Sequence, residues 1–215
     1  MNFIQQAYKG KNDWYLYLLT FFFVFIGWQI IGAIPLLFVA FYSSDDLGEI
    51  MRASKNGFLD LGIDSNLFLF VMIVTFAVGL VCLLFAVKKF HHRSITSLVT
   101  SRKKIDWNRF FYAFMLWFSI VVVLLVMDYL MNPENYVWNF KPIPFLVLVF
   151  ISIVFMPLQT SFEELFFRGY LMQAIGAILQ NKWMALLLIS LLFAGVHEIS
   201  VAIVDDDHVL VHIKF

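Results

Sequence analysis

Charge is scarce in this chain. Only 14% of its 215 residues are charged, 15 basic against 15 acidic, where soluble domains carry about 25%. The net charge is zero and no long basic run interleaves with aromatic residues, which argues against nucleic acid as a partner. Cysteine is limited to Cys82, inside VGLVCLLFAV, so an intrachain disulfide is excluded and the redox compartment stays illegible. That thiol has no activating neighbour in sequence, which makes it core or lipid-facing rather than a nucleophile. Internal repeats and low-complexity linkers are also lacking, and a single domain over 1–197 is expected. The first thirteen residues, MNFIQQAYKGKND, are polar and do not make a cleavable signal peptide, so the apolar run that follows reads as a membrane span.

What the chain has instead is apolar bulk. Hydrophobic residues make up 62%, phenylalanine occurs 26 times and the mean hydropathy is +0.85. Those values define an all-α, polytopic integral membrane protein. A bilayer core needs about 20 apolar helical residues per crossing, and four segments supply them: Trp14–Tyr42, Leu67–Val87, Phe110–Met131 and Pro144–Thr160. Two shorter helices are expected at Glu163–Leu179 and Trp183–His197, for about four to six membrane helices in all. Pro35 should kink or end the first span.

The loops give an orientation. Between the second and third spans lie Lys88, Lys89, Arg93, Arg102, Lys103, Lys104 and Arg109 against the single acid Asp106, which marks that connection as cytoplasmic or as a contact for anionic lipid. The first loop is net acidic and the third nearly free of basic residues. The N-terminus, with Lys9 and Lys11, is then cytoplasmic, and the fourth span descends to bring Glu163 toward the inner face. Trp14, Trp107, Tyr136 and Trp138 stand near span ends, as interfacial anchors do.

Against this background TSFEELFFRG, residues 160–169, is expensive. Each ionised side chain at mid-bilayer costs about 2.5–3.5 kcal/mol on insertion scales. Glu164 and Arg168, four apart on one helical face, can neutralise each other. Glu163 points about 100° away and is left over, suited to face a cavity as a general base with Arg168 holding Glu164. Gly169 suits close approach of another helix. Further on, LLFAGVHEIS puts Phe193 and His197 at i and i+4. A glutamate and a histidine together could activate water and stabilise an oxyanion, the minimum for peptide hydrolysis without a covalent intermediate.

Glu163-Glu164-x-x-x-Arg168 followed by Phe193-x-x-x-His197, with the flanks EELFFRGYL and LLFAGVH, resembles the first two motifs of the CAAX protease and bacteriocin-processing family, the Abi-type membrane proteases related to the Ras-converting CAAX endopeptidases. The resemblance covers about residues 142–197. It implies a helical-bundle intramembrane endopeptidase acting near the cytoplasmic leaflet of a bacterial cell membrane. Glu163 would be the water-activating base, with Glu164 and Arg168 in support. His197 would assist at the water or the tetrahedral intermediate, and Phe193 would shape the substrate pocket. The substrate would be a peptide or protein, prenylated or not. The resemblance leaves the cofactor open, since the family has been treated both as metal-dependent and as glutamate proteases.

The family's third motif, a histidine followed four residues on by Asn or Asp, has no counterpart. His208-x-x-x-His212 has histidine where the amide or carboxylate belongs. The segment 198–215 is expected to be an atypical, non-helical tail, with Val201–Val204 and Val209–Ile213 forming a short hairpin around Asp205, Asp206 and Asp207. It is read as the product of a truncation or frameshift near Glu198, with a degenerate family member as the other explanation. A catalytically incomplete scaffold or self-immunity protein is therefore the alternative function. Rival chemistries fare worse. His197-Glu198-Ile199-Ser200-Val201 begins like a zinc HExxH motif but has Val201 in place of the second histidine. Asp205 to Asp207 lack the spacing of a calcium loop, and Ser161 lacks the context of a serine nucleophile. A transporter would show paired interrupted helices or repeats.

Overall fold

The computed structural model describes residues 3–44, 46–55, 58 and 61–205, without the side chains of 55 and 196–205. Every regular element among the described residues is helical. A 3-10 helix at Ile4–Lys9 precedes the first span, which consists of α1 (Trp14–Ile26), a π-helical turn at Gly27–Ile31 and α2 (Ile34–Ser43). Pro35 falls in the first turn of α2, where its missing N–H forfeits no bond, so the span continues past it. After α3 (Leu47–Lys55) come α4 (Ser65–Lys89), the single turn α5 (Thr96–Val99) and α6 (Trp107–Met131). The chain then forms α7 (Pro142–Val154), α8 (Met156–Glu163), a π-helix at Glu164–Leu171, α9 (Met172–Leu179) and α10 (Lys182–Asp205).

Four helical runs are long and apolar enough to cross a membrane: Trp14–Ser43, Ser65–Lys89, Trp107–Met131 and Pro142–Leu179. The first three coincide with expected spans, and the fourth begins where expected and runs on beyond Thr160. Local chemistry sets their starts. Asp64 accepts from the N–H groups of Asn66 and Leu67 at 3.0 and 3.1 Å, a carboxylate cap on α4, and Lys88 and Lys89 occupy the last turn, where cations meet the negative end of the helix dipole. Asp106 caps α6 through Arg109 N–H. Asn181 caps α10 through Trp183 and Met184 N–H, after Gln180 has ended α9 in the left-handed conformation, φ 51°.

Two expectations change. The helices anticipated at Pro144–Thr160 and Glu163–Leu179 run on as one rod over Pro142–Leu179, interrupted only at Phe155 and widened at the π-helix. At 1.5 Å per residue such a rod is roughly 57 Å long, well beyond one bilayer core. The expected non-helical tail is also corrected. Helix α10 passes through Glu198 and Val201–Val204 to Asp205, so the first half of the proposed hairpin is helical. Once a helix is nucleated, each added residue gains a backbone hydrogen bond, and β-branched residues cost only a few tenths of a kcal/mol apiece, about 0.7 at most. Residues 206–215, with Asp206, Asp207, His208 and His212, lie outside the described residues.

The core forms where α4 meets α1, α8 and the first π-helical turn. Phe162 is fully buried and stacks against Phe166, with ring centroids 5.5 Å apart. It also meets Trp28 at 5.1 Å and Phe76 at 6.1 Å. Gly79 makes this possible: a β-carbon there would sit 2.8 Å from the Phe162 ring and 3.0 Å from Trp28 Cβ. Both contacts lie well inside their spans, so Phe162, and with it Glu163, stands within the bundle. Gly169, roughly 10 Å further along the helix than Phe162, lies against the Leu98 carbonyl. No residue of α6 is buried.

Replacing Gly79 by leucine overfills this junction and should cost about 1–3 kcal/mol. Thermal unfolding in detergent is expected to show a lowered midpoint for Gly79→Leu and near-wild-type behaviour for the same change at exposed Val81.

Candidate active site

The motif Glu163–Arg168 straddles the junction of α8 and the π-helix. A π-helical stretch widens the turn and is frequently found at functional sites. Here it buries Phe166, Phe167, Gly169 and Tyr170 while leaving Glu164 and Arg168 exposed. Glu164 Oε2 accepts from Arg168 Nη1 at 3.0 Å, and the two side chains are 50% and 64% exposed. The pairing read from the i,i+4 spacing is thus made. Glu163 is half-buried and takes no part in an ion pair among the described residues. Its Oε1 accepts from the amide of Gln159, one turn earlier, at 3.3 Å.

Phe193 arrives from α10. Its ring meets Phe167 edge-on at 5.4 Å, and the Arg168 guanidinium lies over it at 5.9 Å, within cation–π range. The structure therefore brings Phe193 to the motif, although the two are far apart in sequence. His197 is on the same helix one turn beyond Phe193, about 6 Å along the axis; its side chain is outside the described set.

A second polar assembly lies against the same π-helix, and it was not anticipated. His91 is fully buried, Arg93 97% buried and Gln173 fully buried. The Lys11 carbonyl can only accept, so His91 Nδ1 donates to it at 2.9 Å, and Nε2 accepts from the Tyr170 hydroxyl at 2.9 Å, with Thr20 Oγ1 at 3.2 Å. Arg93 donates from Nη2 to Gln173 Oε1 and to Ser97 Oγ at 3.2 Å, while Gln173 Nε2 donates to the Ser97 carbonyl at 2.8 Å. Arg93 Nη1 makes no hydrogen bond among the described residues. Burial pulls the Arg93 pKa below its ordinary value, and the nearby Tyr17 and Tyr170 hydroxyls counter the effect. His91 is likewise lowered, chiefly by burial, with the Lys11 carbonyl opposing and Arg93 adding to the shift. In sequence the basic connection reads as an orientation signal or a contact for anionic lipid, neither of which implies a buried arginine. The available clue was Tyr170 and Gln173, polar at i and i+3 just after Arg168 in an otherwise apolar helix.

A metal centre requires several ligands in one place. No group of three His, Cys, Asp or Glu side chains gathers among the described residues, and Glu164 is already committed to Arg168. The described side chains therefore form no metal centre by themselves, and no step is derived through one.

The helices and the charged motif define a polytopic membrane protein with a carboxylate–arginine site set inside its bundle. Residues 142–207 match the family model described as type II CAAX prenyl endopeptidase Rce1-like, which bears out the resemblance to the CAAX protease family. The matched segment contains the whole motif, Phe193 and His197, and reaches past Glu198. The chain is also 29% identical over 202 residues to the uncharacterized protein YyaK of Bacillus subtilis (strain 168), an alignment covering 92% of this chain and 65% of that protein. It thus spans about two thirds of the relative's length. No solved structure matches it.

Gln173 supplies the sole side-chain carbonyl that answers Arg93. Gln173→Leu should destabilise the protein by about 1.5–3 kcal/mol, the range for a hydrogen bond to a charged group. Gln173→Glu, which offers Arg93 a carboxylate but gives up the amide donated to the Ser97 carbonyl, should lose less than Gln173→Leu. Equal losses in both variants would contradict this role.

Proposed function

We propose that the protein is an endopeptidase of the CAAX type, cleaving a peptide or protein within or beside the membrane. The observation that carries this reading is the unequal treatment of the two glutamates. Glu164 is neutralised by Arg168. Glu163, among the described residues, has a single long bond from a neutral amide and no cationic partner. Charged groups facing lipid would cost several kcal/mol, about 2.5–3.5 each, so this face of the π-helix opens on water or on polar protein.

In the proposed reaction the Glu163 carboxylate takes a proton from a water molecule, and the water oxygen attacks the peptide carbonyl carbon. The electron pair of the carbonyl moves to its oxygen, giving a tetrahedral intermediate. His197 assists at the water or the oxyanion. Collapse of the intermediate breaks the C–N bond as the proton held by Glu163 passes to the leaving nitrogen. Arg168 and Glu164 keep one another in place and hold the local field constant. Phe193, fixed between Phe167 and Arg168, shapes the pocket. A groove of about 570 Å³ runs between α4 and α7, lined by Phe70, Ile143, Val147, Phe150 and Phe155. Phe155 lies one and two helical turns before Gln159 and Glu163, so an apolar part of the substrate seated there would lead toward the base. The N-terminus is assigned to the cytoplasm, on the distribution of basic residues, and the setting to a bacterial cell membrane.

General acid–base catalysis contributes roughly 10²–10⁴-fold. Reconstituted in proteoliposomes with a self-quenched peptide library, both farnesylated and unmodified, Glu163→Gln and His197→Ala should each lose cleavage by about that factor. Arg168→Lys should lose less than Arg168→Ala. Cleavage indifferent to Glu163, or a cellular phenotype that survives Glu163→Gln, would favour the scaffold reading.

A further inference from the structure

A π-helix is seldom stable by itself, and the one that carries Glu164 and Arg168 is held from outside. Contacts from the basic connection between α4 and α6 reach its far side, beside the Tyr17 ring of α1, which meets Tyr170 with centroids 5.7 Å apart. The Leu98 carbonyl abuts Gly169, where a β-carbon would come within 3.0 Å. The Tyr170 hydroxyl donates to His91 Nε2 at 2.9 Å. Just beyond the π-helix, Gln173 is bound by both Arg93 and the Ser97 carbonyl. The connection is itself anchored on the N-terminal segment, through Lys11 N–H to the His91 carbonyl at 2.9 Å and His91 Nδ1 to the Lys11 carbonyl. Gly10 packs against the His91 carbonyl and the Arg93 side chain.

We propose that His91 and Arg93 are positioning residues, which act through Tyr170 and Gln173 to fix the rotation of the π-helix and hence the presentation of Glu163, Glu164 and Arg168. That this rotation serves catalysis rests on the endopeptidase reading; the positioning itself does not.

The arrangement makes the position sensitive to pH. With Nδ1 donating to a carbonyl, Nε2 must be unprotonated to accept from Tyr170. Protonation turns Nε2 into a donor facing a hydroxyl that was donating to it, and puts a second cation beside Arg93. The groups facing His91 are Tyr17 of α1, with ring centroids 4.8 Å apart, Tyr170 of the π-helix at 5.5 Å, and Arg93. No carboxylate pairs with His91 or Arg93 among the described residues. Because the folded pKa lies below the unfolded value of about 6.5, the unfolded chain binds the proton more readily. The stabilisation is therefore complete above the unfolded value and is lost as pH falls through the folded one.

The test uses the full chain with Cys82→Ser and nitroxide labels at Thr160→Cys on α8 and Leu187→Cys on α10, both exposed positions outside the motif. Electron–electron double resonance reads the distance between them. At pH 7.5 one narrow distribution is expected, broadening at least twofold at pH 5. His91→Gln, whose amide can both donate to Lys11 and accept from Tyr170 without titrating, should stay narrow at both values. His91→Phe should be broad at both, and Arg93→Leu broad at pH 7.5. A narrow distribution in His91→Phe overturns the proposal, as does acid broadening that persists in His91→Gln. The peptide assay in parallel keeps the two readings apart: cleavage that ignores Glu163 while the distances respond as expected defeats the endopeptidase reading alone. If the distances fail while cleavage depends on Glu163, the positioning alone falls.

Discussion

Charged groups on a helix of an apolar bundle are costly unless neutralised, and the pairing of Glu164 with Arg168 satisfies that constraint within a single turn of helix. The adjacent carboxylate is released by it. In a soluble protein an exposed pair of this kind contributes little, about 0–1 kcal/mol. In an apolar bundle its main effect is to cancel two charges in place, so that Glu163 carries the one unpaired negative charge of the motif. The pair works only if both residues share a face, and the π-helix sets which face that is.

The π-helix is in turn governed by a buried polar cluster at one end of the bundle. Arg93 and His91 sit almost without solvent, a costly place for such groups, and they are satisfied by neutral partners: the Gln173 carbonyl, the Ser97 hydroxyl, the Tyr170 hydroxyl and the Lys11 carbonyl. Neutral acceptors hold a cation less tightly than a carboxylate would. They also fix direction, because each accepts only along its lone pairs. The cluster joins the N-terminal segment, the basic connection and the fourth span, three stretches distant in sequence, while the Phe162–Trp28–Gly79 junction fixes the opposite end of the motif.

Much of this was legible in sequence. Hydropathy located the first three spans and the start of the fourth to within a few residues because bilayer thickness imposes their length, and the i,i+4 spacing foretold the Glu164–Arg168 pair. The motif spacing also named Phe193, which the fold brings against Phe167 and Arg168. Other features were not legible. The charged run suggested a boundary between two helices where there is one rod, because Glu164 and Arg168 pair within the helix itself. The β-branched run Val201–Val204 suggested a strand, although it continues a helix already nucleated. Arg93 was lost among neighbouring basic residues. Nothing local distinguishes a buried arginine from a solvated one when its partner, Gln173, is encoded 80 residues away.

The account turns on whether Glu163 activates water to cut peptide bonds. The most direct measurement is a comparison of new protein termini in membranes from cells expressing the wild-type chain or Glu163→Gln, read by mass spectrometry. The account predicts a set of paired termini, each pair flanking one peptide bond, present with the wild-type chain and missing with Glu163→Gln at equal expression. Identical termini in the two samples would contradict it.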